Sequence, residues 1–576
     1  MKSDVINKEK IIYVLSCVFI VIVCVYDIRR LDYIAVLNDE FGYWGNATAF
    51  LGYEWKELIS ETPYYAWGYS FWLIPIIALF SSSIVWYKLA IGLNIIFLLL
   101  SYCLCVKIGN RIFSEIDRKV IAIVSLSVIL YPSNILYSQS AWSESLLYFL
   151  TWLGTYILLL LEEKFSYKLF LSEVLLLTYM YIVHARTMGI IGVGMIILCL
   201  ILIKHNKKVY GIISFILIFM LGYIINMKIK NIQLIELWSN SKISDMNNVG
   251  LNGKTFESYF FRVWGDLRLL FESLGAKLIV LFVSTGFTLP VAIYTIIIKS
   301  IQNIKKKNIF DNYIITKLWC IGIILAMWFL CSLQMMYWGE RKDIIVYSRY
   351  MENALGPVLF LGTLFVITGI EGMAKVMISS IVIFLSGINS VYFRVANAAG
   401  AFNTICSPIF GAFYEGMQNV ANAFIGIVIL SFFMIIVILS LQKINSKKLR
   451  TLIFSMVFIV VFTILNINAK SYLLDWRSNL DRGIVTVKEE IEKLGNNKEL
   501  YYVKNIEHDQ YSANPKYLQY MLPDCTIHII EKKDIQELEE DNILILLNSK
   551  DTLTNEELTG KLDKVVSTEM LIVYQK

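Results

Sequence analysis

Apolar residues run through this chain in stretches of roughly 20, the length that carries a helix across a bilayer. Such stretches occupy residues 11–28, 84–106, 120–136, 143–161, 210–227, 318–338 and 452–467. Two more flank the turn His184-Ala185-Arg186-Thr187, one ends before Lys305-Lys306-Lys307, and three lie between the polar segment 339–353 and Lys443. The pattern predicts about 13 transmembrane helices. Basic residues fall on alternate turns: Lys2, Lys8 and Lys10; Lys107 to Lys119; Lys204 to Lys208; Lys305 to Lys307; Lys443 to Arg450. Basic turns stay in the cytoplasm, so the N-terminus is expected inside and the segment after the last span outside. The first apolar run has no small-residue cleavage site and reads as a retained span.

After the last span the period changes. Residues 500–503, 526–530, 542–547 and 570–574 read as strands, and 516–521 and 555–562 as helices. That alternation predicts a small α/β domain with a partly parallel sheet. The expected division is a transmembrane domain over 1–467, with a first outer loop at 29–83, and an extracytoplasmic α/β domain over 468–576. No GxGxxG or P-loop lysine is present, so the tail carries no nucleotide motif.

Composition agrees. Of 576 residues, 57% are hydrophobic and 17% charged, against about a quarter charged in soluble domains. The net charge of +6 is spread between apolar spans, which argues against a nucleic-acid partner and fits anionic lipid. Most of the nine cysteines lie inside apolar runs, and no metal-binding or disulfide spacing is visible.

The candidate chemistry lies on one side. The stretch from Leu37 to Pro75 holds adjacent acids, Asp39 and Glu40, and a run of aromatics, Tyr64, Tyr65, Trp67 and Tyr69, ahead of a short interfacial helix expected over 67–80. Glu144 opens the fourth span. His184 and Arg186 sit between the fifth and sixth. Arg262, Asp266 and Arg268 follow the seventh. Glu340, Arg341, Lys342, Asp343, Arg349, Tyr350 and Glu352 lie between the ninth and tenth. Ionisable groups at membrane depth need partners or a function. Arginines can hold a phosphate and stabilise it as it leaves, a carboxylate can take a proton from a hydroxyl, and aromatic faces can seat a sugar. Each has a plainer reading: Asp39 and Glu144 as helix caps, Arg186 as a headgroup contact, the tyrosines as interfacial anchors.

These motifs resemble the GT-C superfamily of integral-membrane glycosyltransferases, in particular bacterial relatives of protein O-mannosyltransferases and of the lipid A aminoarabinose transferase. Asp39-Glu40 in NDEFGYW matches the family's acidic pair after the first span. PYYAWGYSFWLIP resembles its aromatic segment before the second. Glu144 in AWSESLLYF, Arg186 in HARTMGII, and Arg349, Tyr350 and Pro357 in SRYMENALGP match its later site positions. The chain departs in lacking a Pro-Pro pair after the first loop and in carrying Glu where the family often has Asp at position 144. The resemblance implies an inverting transfer of a hexose or pentose from a polyprenyl-phosphate-linked donor to a cell-envelope glycan, lipid or protein. It casts Asp39 as base with Glu40 and Glu144 beside it. Arg186, His184, Arg349, Tyr350, Arg341 and Lys342 would lie around the donor phosphate, and Tyr64, Tyr65, Trp67 and Tyr69 would form the sugar or acceptor platform. It leaves open whether a divalent metal takes part. Two other readings stand beside it: a lipid-linked sugar or polysaccharide flippase, which expects charges along a path inside the spans, and a polysaccharide polymerase, which expects its acceptor site in a late outer loop.

Overall fold

The computed structural model describes residues 2–207, 210–238, 264–305, 313–336, 341–495, 499–505, 507, 512–536, 544–559 and 561–576. Arg262, Glu340, Lys306 and Lys307 lie outside the described residues.

The chain opens with α1 (Lys2–Val25), then α2 (Leu37–Phe50), α3 (Lys56–Ser60) and α4 (Trp67–Leu79). Next come α5 (Ser83–Ile112), α6 (Arg118–Ile129), α7 (Pro132–Ser138), α8 (Glu144–Glu163), α9 (Tyr167–Val183), α10 (Met188–Lys204) and α11 (Tyr210–Glu236). After them are α12 (Leu267–Ser284), α13 (Thr288–Lys305), α14 (Ile314–Gln334), α15 (Arg349–Thr368), α16 (Met373–Asn397), α17 (Pro408–Met417), α18 (Val420–Leu441) and α19 (Lys447–Leu480). The tail holds α20 (Thr486–Lys493), β1 (Leu500–Val503), α21 (Ala513–Met521), β2 (Ile527–Ile530), β3 (Leu544–Asn548), α22 (Thr552–Leu558), β4 (Asp563–Ser567) and β5 (Leu571–Gln575).

Among the described residues, ten helices are long and apolar enough to span a membrane, or twelve if two bent pairs each count once. The predicted fifth span falls on α9, whose 17 residues include Lys168 and Glu173. It must return the chain across the bundle, because the N-termini of α8 and α10, on either side of it in sequence, meet at one end.

The two bends have local causes. Between α6 and α7 the axis turns by 62°. Pro132 has no amide hydrogen to continue the ladder and forces Tyr131 to an extended ψ of 132°. Asn134 donates to the carbonyls of Val128 and Ile129 that the break frees. Between α12 and α13 the turn is 98°. There Gly286 and Phe287 take φ of +53° and +63°, a left-handed conformation that costs glycine little and Phe more.

The short helix expected over 67–80 is present as α4, and the segment before it is helical as well. Leu37 to Phe50 is α2, capped from within by Glu40 as described below. The last span, α19, continues as helix beyond residue 467 to Leu480.

The tail forms one five-stranded sheet in the order β2-β1-β3-β5-β4. β1, β2 and β3 are parallel, while β5 is antiparallel to both β3 and β4. The sequence pattern missed β4, whose Asp-Lys-Val-Val-Ser run is mostly exposed and carries no apolar stripe. Alternate residues serve two faces. Leu500, Tyr502, Leu544, Leu546 and Val573 join the main core with α21, whereas Val503, Ile545, Leu547, Ile572 and Tyr574 join Leu558 of α22 and Ile535 of the turn Lys532–Gln536.

Candidate active site at the gathered helix N-termini

Three helix starts meet at one point. Glu144 is the first residue of α8, Arg349 the first of α15, and Arg186 lies in the turn Ala185–Thr187 that leads into α10. Helix N-termini carry partial positive charge and unsatisfied amide hydrogens. Acids and anions are favoured there, and the acids come from α8 itself and from α2.

Glu144 Oε1 accepts from Arg186 Nη2 at 2.9 Å and from Arg349 Nε at 2.5 Å. Arg349 Nη1 reaches Asp39 Oδ2 at 2.5 Å, and the hydroxyl of Tyr65 donates to Asp39 Oδ1. Two acids and two bases thus form one chain, Asp39–Arg349–Glu144–Arg186, from four separate elements. Glu144, Arg186 and Arg349 have side chains at most 10% exposed, while Asp39 keeps 19%. The acid best placed to meet a ligand is therefore Asp39. Ser143 donates to Glu144 Oε2 and receives from Tyr43. The Arg349 guanidinium lies 4.0 Å from the centre of the Trp142 ring, and that of Arg186 lies 5.0 Å from Tyr350. Stacking fixes the planes of both cations.

Arg186 has donors to spare. Its Nε and Nη1 are buried and have no hydrogen-bond partner among the described residues. Buried donors are usually paired, so two free ones on one guanidinium are available to an acceptor the protein does not itself supply.

Glu40 is built differently. It is fully buried, and its oxygens accept from the amides of Ala35, Val36 and Ala141 and from the Tyr87 hydroxyl, at 2.6–2.8 Å. Burial pushes its carboxyl up from the ordinary value, against the pull of Arg477 and of these donors. Two of the amides precede α2, so Glu40 fastens the start of that helix; the third ties it to the turn before Glu144. Arg477, from the far end of α19, donates to Tyr87 at 2.5 Å and to the carbonyls of Tyr33 and Gln139. Burial, with Asp39 alongside, holds the Tyr65 hydroxyl well above its usual range, so it stays a donor.

The remaining expected residues are dispersed. His184 accepts from the amide of Arg186 and shapes the turn that carries it. Arg341 forks onto Asp343, which in turn accepts from the amide of Asn403. Lys342 is half-buried in the same segment. Tyr64 bonds Gln233 and packs on Trp238, Trp67 bonds Asn226, and Tyr69 is fully buried against Asn94 and Tyr43. Of the four aromatics, only Tyr65 is bonded to Asp39. Sequence reasoning passed over Trp142, Tyr87 and Arg477. Arg477 follows the last span as the other site residues follow theirs, so the same rule would have found it. Among the described residues no group of three or more His, Cys, Asp or Glu is placed to hold a metal ion.

The fold is a polytopic helical bundle with a small α/β tail. It is shared with ArnT from Cupriavidus metallidurans. The crystal structure of that protein bound to undecaprenyl phosphate superposes with a TM-score of 0.53 and 12% identity over 97% of both chains. Its apo structure gives 0.53 and 11% over 99% of this chain and 98% of the other. No protein-family model and no curated protein sequence matches the chain.

Proposed function

We propose that this protein transfers a sugar from a polyprenyl-phosphate-linked donor to a cell-envelope acceptor on the outer face of the cell membrane. The N-terminus would lie in the cytoplasm and the sheet domain outside, in line with the distribution of lysines. The observation that carries the reading is the pair of buried, unpartnered donors on Arg186, set among three helix N-termini and joined through Glu144 and Arg349 to Asp39. Anions bind where helix dipoles, free N–H groups and a fixed guanidinium converge. The ArnT structure with bound undecaprenyl phosphate shares the fold and supports a lipid phosphate as that anion.

In this reading Asp39 takes the proton of an acceptor hydroxyl as that oxygen attacks the anomeric carbon. The bond from that carbon to the phosphate oxygen breaks, and its electrons stay on the phosphate, where Arg186 and Arg349 balance the charge. One displacement inverts the anomeric centre. Glu144 holds both arginines, and Glu40 holds the start of α2. The test uses full-length protein in reconstituted membranes with radiolabelled polyprenyl-phosphate sugars, and follows release of the lipid phosphate. Release that depends on Asp39 supports the reading. No release with any donor, together with labelled lipid crossing the bilayer, would replace it with the flippase.

A further inference from the structure

The sheet domain follows the last span in sequence, and its helix α21 packs directly against α2, the helix that carries Asp39. The contact is polar at its centre. Lys516 of α21 is fully buried, and its ammonium donates to Asn38 Oδ1 at 3.3 Å and to the carbonyl of Glu61 at 2.7 Å. Asn38 is the neighbour of Asp39. Glu61 begins the segment that leads to Tyr65, whose hydroxyl bonds Asp39. A second lysine of the tail, Lys504, reaches the Glu61 carboxylate at 2.5 Å. Around this centre lies an aromatic seam. Tyr520 packs on Trp44 and Trp55 and donates to the carbonyl of Ser83, while Trp55 donates to the carbonyl of Pro523.

Lysine is among the side chains least often buried, and an apolar residue of similar length would fill such a helix interface without desolvating a charge. A buried ammonium that touches both strands of chain converging on Asp39 points to a role beyond packing. We propose that the tail domain is a built part of the transfer site, and that Lys516 is a positioning residue which fixes the Asn38–Asp39 step relative to Tyr65. This rests on the reading of Asp39 given above. The arithmetic of orientation makes the role testable, because a displacement of about 1 Å at a reacting group lowers a rate on the order of a hundredfold.

The experiment compares wild type, Lys516→Met, Lys516→Arg, Asn38→Leu and the Lys516→Met/Asn38→Leu double variant. Each is a full chain in reconstituted membranes at equal protein level, with the donor that wild type turns over. Lys516→Met is expected to lower kcat by about ten- to a hundredfold with donor KM changed less than about twofold, because the donor phosphate sits on Arg186 and Arg349. Arginine at 516 should restore most of kcat. The two single losses should be strongly non-additive in the double variant, since both remove one contact. Wild-type kcat in Lys516→Met, or additive losses with KM and kcat changing together, would overturn the positioning role. Where Lys516→Met lowers the melting temperature, Asn38→Leu alone carries the test, and unchanged kcat in that variant overturns the proposal. Absence of donor turnover in wild type sinks the transferase reading instead.

Discussion

Helix α8 carries a buried acid at each end, and the two ends behave differently. At its C-terminal end Glu162 is 1% exposed and accepts from the amides of Ile315 and Thr316 and from the Thr316 hydroxyl, at 2.6–3.1 Å. Its oxygens cap the start of α14, and Lys204 stands 3.6 Å away. Nothing is left over. At the N-terminal end Glu144 is 3% exposed, but its charged partners are two arginines, one of which keeps two donors unused. Burial of a carboxylate therefore does not separate a cap from a site. The partner does: amides consumed by the fold leave no room for a ligand, whereas a fixed guanidinium with free donors does.

Substitutions should divide along that line. The largest effect is expected at Asp39, the exposed end of the Glu144 network. Asp39→Asn keeps shape and removes the proposed base, so transfer should fall by about 10²–10⁴-fold at unchanged protein level, read as lipid-phosphate release. Next is Arg186→Met, which takes away the unused donors. A loss of about 10²–10³-fold is expected, with donor binding weakened as well as turnover. Equal activity in that variant would make Arg186 as structural as Glu162's partners. Glu162→Gln should do the reverse: one acceptor oxygen is lost, stability falls by about 1–2 kcal/mol in thermal melts, and kcat per folded protein stays at the wild-type level.

The smallest effect lies at the rim of the tail domain. His528 of β2 places one ring nitrogen 2.7 Å from Glu57 of α3 and the other 2.8 Å from Glu499. Two carboxylates on the two nitrogens require the doubly protonated ring. The hydrogen bond to Glu57 leads in raising the His528 pKa, against burial and with the help of both acids' charges. For Glu57, burial pushes the carboxyl up, but His528 and the amide of Ile529 outweigh it and lower the value. The stabilisation from His528 is thus full below the ordinary histidine value of about 6.5 and fades as pH rises through the raised one. That from Glu57 fades as pH falls through its lowered value. Hydrogen exchange at β2 should loosen on the alkaline side of this window in wild type and show no such step in His528→Gln. An identical alkaline step in that variant would reassign it to another group.

Much of this was readable from the one-dimensional pattern. Spans declare themselves because every residue of a lipid-facing helix meets the same solvent, so apolar runs need no knowledge of neighbours. Asp39, Glu144, Arg186 and Arg349 were each visible as ionisable groups at span ends. The strands β1, β2, β3 and β5 were visible from dense apolar runs, and β4, exposed and polar, was not. The helix α2 was hidden because its capping acceptor is Glu40, four residues inside it, and not a residue before its start. The bend at Gly286 and Phe287 was hidden because a conformation of φ > 0 at Phe has no composition signal.

The sequence by itself determined that the chain crosses a membrane many times, where its charges cluster, and that an α/β segment follows the last span. Those are consequences of solvent and period, and both act locally along the chain. Only the tertiary structure decided that four of the clustered charges form one chain while Arg341 folds back on Asp343 and Glu40 is consumed by amides. It alone decided that Arg477 and Lys516, far along the sequence, come to the start of α2, Arg477 through Tyr87 to Glu40 and Lys516 directly to Asn38. Pairing of buried charges depends on which helix ends the bundle brings together, and that is settled by packing across hundreds of residues of separation, not by the spacing of residues along the chain.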